Sequence, residues 1–276
     1  MAFIKSQNLE NALLYFTIAA YLLATLFYWV GFLTKNAVTP RYPVKLTVCG
    51  LLGNTLAILL RLYKAGSFSI VDNTDFLLSF TWFAVFTGLL VIWRYRIKVV
   101  GIVLLSIVFA LLVYVLATLE PVSAPLSLYR GDWLIGYLLT TAMAYGIFAV
   151  AFAVGVMYLM KDYLSKTNPR GTLTQGLPTL ELLEELSYKI ICYGFPIFSL
   201  SIALGAVWAN NLQGQYWDWT PKETWSFISW FAYVAYFHSR RLHGWRGTRS
   251  VWMAVMSFMA ILFTFFGVSY FLPGQI

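Results

Sequence analysis

The chain has 276 residues, of which 60% are hydrophobic and 18% aromatic while only 11% are charged. A water-soluble domain carries roughly 25% charged residues, so the composition excludes an ordinary soluble enzyme or regulator and calls for a bilayer as solvent. The formal charge of +8 does not indicate nucleic acid, because the basic residues sit in short clusters between apolar runs and no nucleic-acid-binding motif accompanies them.

Apolar runs approaching or exceeding the ~20 residues that cross a bilayer as helix recur along the chain. Eight spans are predicted: Ala12–Leu33, Val44–Tyr63, Phe76–Trp93, Val99–Leu119, Trp133–Met160, Tyr188–Ala209, Trp225–His238 and Val251–Leu272. The first ends in Thr34-Lys35 without a small-residue cleavage site, so it reads as a span rather than a secretory signal. The fifth is long enough to tilt or protrude, and the seventh is short. Cys49 and Cys192 fall inside apolar runs with no CxxC pair, which predicts buried, inert thiols. Arg61, near a span end, is expected to snorkel, and Asn54, Thr55, Thr140 and Thr141 to serve as helix-packing contacts.

The loops set an orientation. Lys35, Arg41 and Lys45 flank the first loop, Arg94, Arg96 and Lys98 the third, Lys161, Lys166, Arg170 and Lys189 the fifth, and Arg240, Arg241, Arg246 and Arg249 the seventh. Together these hold 14 of the 19 Lys and Arg residues. All are odd-numbered connections, so eight spans put them on one side, which the positive-inside rule makes cytoplasmic. The expected fold is all-α: a polytopic integral membrane protein of about eight transmembrane helices, one membrane domain over residues 1–276, both termini extracytoplasmic. Residues 162–187 form the longest cytoplasmic connection. It carries the breakers Asn168-Pro169-Arg170-Gly171 and Gly176-Leu177-Pro178, then an amphipathic helix from Thr179 to Leu186 that either lies at the membrane surface or leads into the sixth span.

The most unusual stretch is the extracytoplasmic segment 208–225, Trp-Ala-Asn-Asn-Leu-Gln-Gly-Gln-Tyr-Trp-Asp-Trp-Thr-Pro-Lys-Glu-Thr-Trp, with Trp230 following. An aromatic belt at headgroup level explains one or two tryptophans, but here five fall within 23 residues around a polar Asp-Thr-Pro-Lys-Glu core. The other reading is a platform for a large flat apolar ligand, on whose carboxylate Lys222 would close, with Pro221 fixing the start of the next helix. Residue chemistry alone leaves both open.

Tyr216-Trp-Asp-Trp-Thr-Pro-Lys-Glu-Thr-Trp225 resembles the "WWD" segment of the cytochrome c assembly family of CcsA, ResC and CcmC type. Ala235-Tyr-Phe-His-Ser-Arg240 is similar to that family's Tyr-Leu-His-Thr-Arg stretch. Leu186-Ser-Tyr-Lys189, Gly205-Ala-Val-Trp-Ala-Asn210, Gly244-Trp-Arg-Gly247 and Phe266-Gly-Val268 match as well. A weaker likeness at Gly66–Trp82 falls on the family's outward Gly-His-Phe-Pro-Leu-Ser loop. The resemblance implies a heme-binding, heme-delivery protein of system II cytochrome c biogenesis in a bacterial cytoplasmic or thylakoid-type membrane. It would work with a CcsB/ResB-like membrane partner and present b-type heme to apocytochrome c. By resemblance Trp208, Tyr216, Trp217, Trp219, Lys222 and Trp225 hold the heme, and His238 ligates its iron. Membrane lipids are the other expected contacts. At most, the chain would form part of a holocytochrome c synthase complex.

The departures fall on the chemistry. His238 and His243 are the only histidines. The family's outward histidine at the start of the fifth span aligns near Tyr137, and Ser67 stands where the Gly-His-Phe loop has histidine. The C-terminal Leu-His-Ser-Tyr is replaced by Ser269-Tyr-Phe-Leu-Pro-Gly-Gln-Ile276. A family tryptophan falls at Gln213, and the family aspartate at Thr220, two residues from Asp218. Heme iron takes His, Met, Cys or Tyr ligands, so these losses raise an alternative: a structural membrane subunit on the same scaffold, without its own heme, anchoring a cytochrome or other redox complex. A quinone-reactive subunit has no positive motif.

Overall fold

The computed structural model describes residues 2–34, 42–65, 73–119 and 132–267. Among these it contains nine α-helices and no strand: α1 Ala2–Thr34, α2 Tyr42–Ala65, α3 Asn73–Tyr95, α4 Val100–Ala117, α5 Asp132–Thr167, α6 Thr172–Gly176, α7 Leu180–Gln213, α8 Pro221–Leu242 and α9 Thr248–Leu262, the last continuing into a π-helical turn at Phe263–Gly267. Helix is what a bilayer imposes, since hydrocarbon offers no partner for a bare N–H or C=O. The chain divides into two compact units, Met1–Arg130 and Gly131–Ile276.

In the first unit α1 packs on α2 and α4, and α3 on the same two, so four helices close a ring. Small residues permit the close approaches: a Cβ added to Gly50 of α2 would run into the Tyr21 ring, and one on Gly101 of α4 would meet Tyr28 at 2.7 Å. Asn54 donates to Thr81 Oγ1 at 3.1 Å and Trp82 Nε1 to Thr55 Oγ1 at 2.8 Å, tying α2 to α3. Asn54 and Thr55 are therefore packing contacts as expected. Thr140 and Thr141 instead bond the Gly136 and Tyr137 carbonyls of their own helix.

Two expectations are corrected here. Arg61 does not snorkel: it is 2% exposed and bonds Glu10 of α1, itself 0% exposed, and Asp75 of α3, while Lys64 reaches the second oxygen of Glu10. Two cations and two carboxylates thus form a compact ionic knot among the ends of three helices, where each desolvated charge has a counter-charge. Nor are the cysteines buried, since Cys49 is exposed and Cys192 half-buried. On helices bathed in lipid, an apolar thiol is stable facing outward.

The second unit repeats the pattern with α5, α7, α8 and α9, in which α5 packs on α7 and α9, and α8 on the same two. Consecutive members are antiparallel: Tyr137 meets Trp208 and Ser187 meets Ala151 between α5 and α7, and Trp225 meets Phe263 while Ser239 meets Met253 between α8 and α9. The starts of α5 and α8 and the end of α7 therefore lie together at one end. At the other lie Lys161, Lys166, Arg240, Arg241, Arg246 and Arg249, and these are called below the Trp-rich end and the basic end. α5 runs through to Thr167, past the predicted span. The amphipathic Thr179–Leu186 segment is the opening of α7 itself, with Thr179 Oγ1 accepting from Leu182 N at 3.4 Å as its N-cap. It is the lead-in to the sixth span, and the connection shrinks to residues 168–179, where the Lys161 ammonium donates to the Thr174 carbonyl of α6.

Among the described residues seven helices, rather than eight, are long and apolar enough to cross a membrane. The exception is α8, whose 22 residues include Lys222, Glu223, His238, Arg240 and Arg241. It is long enough, at ~1.5 Å per residue, and lies antiparallel beside the membrane-length α9, but its polar side chains lower its hydropathy. Ser67 and the residues from Ser269 onward lie outside the described residues.

Breaking a buried ion pair on one side costs about 3–5 kcal/mol. Glu10→Gln removes the carboxylate that Arg61 and Lys64 share, so the detergent-purified protein is expected to unfold at a clearly lower temperature than wild type. An unchanged melting curve would return Arg61 to the snorkelling role.

Candidate functional site

The Trp-rich end is built by two helix termini and the link between them. α7 stops at Gly214, whose φ of 76° lets its N–H return to the Asn210 carbonyl at 2.9 Å. α8 starts with Pro221 at its first position and a reciprocal capping box: Thr220 Oγ1 accepts from Glu223 N at 3.3 Å, and Glu223 Oε2 accepts from Thr220 N at 3.2 Å. The same carboxylate oxygen accepts from Asp218 N at 3.0 Å. Between these two anchored amides Trp219 adopts φ 54°, a left-handed conformation that costs a non-glycine residue about 1–3 kcal/mol and persists only when its surroundings enforce it. Glu223 and the Thr224 hydroxyl, which donates to the Trp219 carbonyl at 3.2 Å, supply that enforcement.

The result is a turned-out indole. Trp219 is 67% exposed, and Tyr216 60%. Trp217 sits edge-on to Trp219 and to Phe227 of α8, both at 5.8 Å between ring centroids. Phe227 stacks on Trp230 at 6.1 Å and 2°, and Trp230 stacks on Phe195 of α7 at 5.6 Å while its N–H donates to Ser199 Oγ at 2.9 Å. The Trp217 Nε1 atom, by contrast, is buried with no acceptor among the described residues. Such an orphan donor carries a desolvation penalty that an anionic or carbonyl acceptor arriving from outside would remove. Lys222, on the first turn of α8, opens to the surface, yet surrounding protein desolvates its ammonium and lowers its pKa from the ordinary lysine value. A carboxylate placed beside it would offset that desolvation and favour the charged form.

The remaining expected site residues are placed elsewhere. Trp208 lies one turn before the end of α7 and stacks on Tyr137 of α5 at 6.2 Å and 12°, the phenol ring lying against Gly205. The position where the resemblance expects a histidine is thus at the Trp-rich end, but as an aromatic packed on an aromatic. Trp225 turns to the opposite face of α8 and packs against Phe263 at 4.3 Å. His238 is exposed at the basic end, roughly 25 Å along the helix from Pro221 at ~1.5 Å per residue. Trp217, Trp219 and Lys222 therefore share one neighbourhood with Phe227 and Trp230, and His238 is not part of it. Glu223 is the organising residue that the site prediction left out. Its signal was in the sequence as the Thr-Pro-Lys-Glu spacing of a capping box.

A heme fits this end in part. Aromatic faces suit a macrocycle, and the free indole N–H and Lys222 suit propionates. No histidine is available for the iron, and among the described residues no group of three or more His, Cys, Asp or Glu side chains could hold a metal ion.

The sequence profile of the family described as "Cytochrome C assembly protein" matches residues 71–275. "Cytochrome c biogenesis protein CcsA" of Guillardia theta is 27% identical over 289 residues, covering 97% of this chain and 94% of the relative. The protein of the same description from Gloeobacter violaceus is 43% identical over 110 residues, 40% of this chain and 32% of its own length. That from Chlamydomonas reinhardtii is 28% identical over 223 residues, 78% and 62% respectively.

Losing the cap costs about 1 kcal/mol, but Glu223→Ala also releases the Asp218 and Thr220 amides. The expected outcome is a shift in tryptophan emission and faster protease cleavage at residues 214–220, with helix content unchanged by circular dichroism. If emission and cleavage match wild type, Glu223 does not hold the turn.

Proposed function

Since this chain belongs to the cytochrome c assembly protein family and is a membrane protein of cytochrome c biogenesis, we propose that its cargo is heme, received at the basic end and displayed at the Trp-rich end for attachment to apocytochrome c. The observation that carries this reading is Trp219, an exposed indole held at φ 54° by a dedicated set of hydrogen bonds. A fold does not strain a bulky residue outward to improve its own core.

In this reading the basic end is cytoplasmic by the positive-inside rule and the Trp-rich end faces the other side. α8 crosses the membrane beside α9, which keeps both termini extracytoplasmic. When bound, heme supplies the vinyl groups that become thioether links. The chain's own residues only bind and orient: Trp217, Trp219 and Tyr216 offer apolar faces, while Lys222 and the Trp217 N–H take the propionates. Trp208 supports the platform through Tyr137, and Trp225 fixes it to α9. His238 serves as an iron ligand at the basic end. The Trp-rich end contributes no histidine, so ligands there come from a CcsB/ResB-like partner or from the apocytochrome itself, and the chain is one part of a heme lyase rather than a synthase alone.

The separation of His238 from the tryptophans favours a second reading, a heme-free scaffold subunit that anchors a redox complex. Purification in mild detergent with chemical heme quantification separates the two. Heme carriage predicts bound heme that falls several-fold in Trp217→Ala/Trp219→Ala. Absence of heme from wild type, with companion subunits retained, supports the scaffold.

A further inference from the structure

The turn between α3 and α4 is a concentrated basic stretch of the first unit, reading Trp93-Arg-Tyr-Arg-Ile-Lys98. It is short because Arg96 takes φ 57°, the left-handed region that a residue with a Cβ enters only at a cost. Ile97 is buried at 5% exposure, while Trp93, Arg94 and Arg96 stay exposed. Trp93 is 79% exposed, and the Arg94 guanidinium lies 5.7 Å from the Tyr95 ring centroid. α2 runs antiparallel to α3, with Arg61 on Asp75 and Thr55 on Trp82, so the exposed Lys45 near the start of α2 belongs to the same end.

No carboxylate of the unit answers this charge. Among its described residues the carboxylates are Glu10 and Asp75, and both are engaged in the ionic knot. Asp75 stands roughly 28 Å from Arg94 along α3 at ~1.5 Å per residue, far beyond the ~8 Å over which exposed charges act in physiological salt. At the basic end of the second unit the cations do find acids, Lys166 with Asp162, Lys189 with Glu185 and Arg240 with Glu184. Helix dipoles do not account for the turn either. Arg94, in the last turn of α3, is favoured there, but Lys98 stands just ahead of α4 and is set against its positive terminus. Glycine would make the same turn without strain, and an orientation signal needs only charge near the span ends, not a particular turn. An arginine held at this φ is explained by a partner for its charge.

The positive-inside rule makes this end cytoplasmic, where the leaflet surface is anionic and an exposed tryptophan suits headgroup depth. Guanidinium pairs with two phosphate oxygens at once. We propose that the α3–α4 turn is a binding site for the phosphate of an anionic membrane lipid. Arg94, Arg96 and Lys98 pair with its oxygens, Lys45 adds to the attractive field, and Trp93 lies along the glycerol region. The site fixes the depth of the first unit in the cytoplasmic leaflet and does not depend on the heme reading.

The test is native mass spectrometry of the full-length, detergent-purified protein supplied with equal phosphatidylglycerol and phosphatidylcholine. Wild type is compared with Arg96→Gly, with Arg94→Gln/Arg96→Gly/Lys98→Gln, and with Arg241→Gln/Arg249→Gln, which removes exposed charge from the second unit. Wild type is expected to retain phosphatidylglycerol several-fold over phosphatidylcholine. Arg96→Gly is expected to weaken that preference several-fold with an unchanged melting temperature, since glycine keeps the turn. The triple variant is expected to lose the preference and Arg241→Gln/Arg249→Gln to keep it. No preference in wild type, or a full preference in Arg96→Gly and the triple variant, overturns the site. An equal loss in Arg241→Gln/Arg249→Gln reduces it to diffuse charge and overturns it as well. Displacement of the lipid by millimolar inorganic phosphate assigns the turn to a free anion and overturns the lipid.

Discussion

Hydrocarbon provides no hydrogen-bond partners, and every polar group carried into it must be met from within the protein. That constraint orders both units. Threonine and serine hydroxyls along the helices turn back to carbonyls one turn earlier, as Thr17 does to Leu13, Thr25 to Tyr21 and Ser257 to Met253. Where polar side chains leave their own helix they do so in matched sets, such as Asn54 with Thr81, Trp230 with Ser199, and Arg61 with Glu10 and Asp75. The buried Trp217 N–H is one of several side-chain atoms without a partner among the described residues, Asn11 Oδ1 and Asn54 Oδ1 being others.

The constraint also explains what the sequence made legible. Helices and most of their limits follow from apolar runs, because a span has a required length. The start of α8 was readable from Thr-Pro-Lys-Glu and the end of α7 from Gly214, since caps depend on local residues. Arg61 was misread because its partners Glu10 and Asp75 are distant in sequence, and a charge near a span end has two solutions that composition does not distinguish. The cysteines were misread for a related reason: "inside an apolar run" does not say which face of a helix looks at lipid. Trp225 shows the same limit within the site, since only the helix register sends it to Phe263 while Phe227 and Trp230 turn to the other face.

Two ends of one helix divide the chemistry. α8 carries Lys222 and Glu223 in its first turn, where carboxylate suits the positive helix terminus, and Arg240 and Arg241 in its last, where cations suit the negative one. Both placements stabilise the helix without any ligand. Arg240 is therefore accounted for twice, by the macrodipole and by the Glu184 bond, and Arg241 once, so their presence alone says little about cargo.

The same accounting separates the tryptophans. Trp230 fills the gap between α7 and α8 by stacking on Phe195, and its N–H is met by Ser199. Trp208 is explained by Tyr137 and Trp225 by Phe263. Each is a complete packing solution, in which a large ring spans a distance that a leucine would leave open. Trp217 and Trp219 are not complete in that sense: one has a buried N–H without an acceptor, the other a left-handed backbone and an exposed face. A bilayer headgroup belt would relax both by letting the rings rotate, yet Glu223 fixes the amides on either side of Trp219. What the turn enforces is a geometry of ring faces rather than a depth in the membrane, and that is the requirement of a flat ligand.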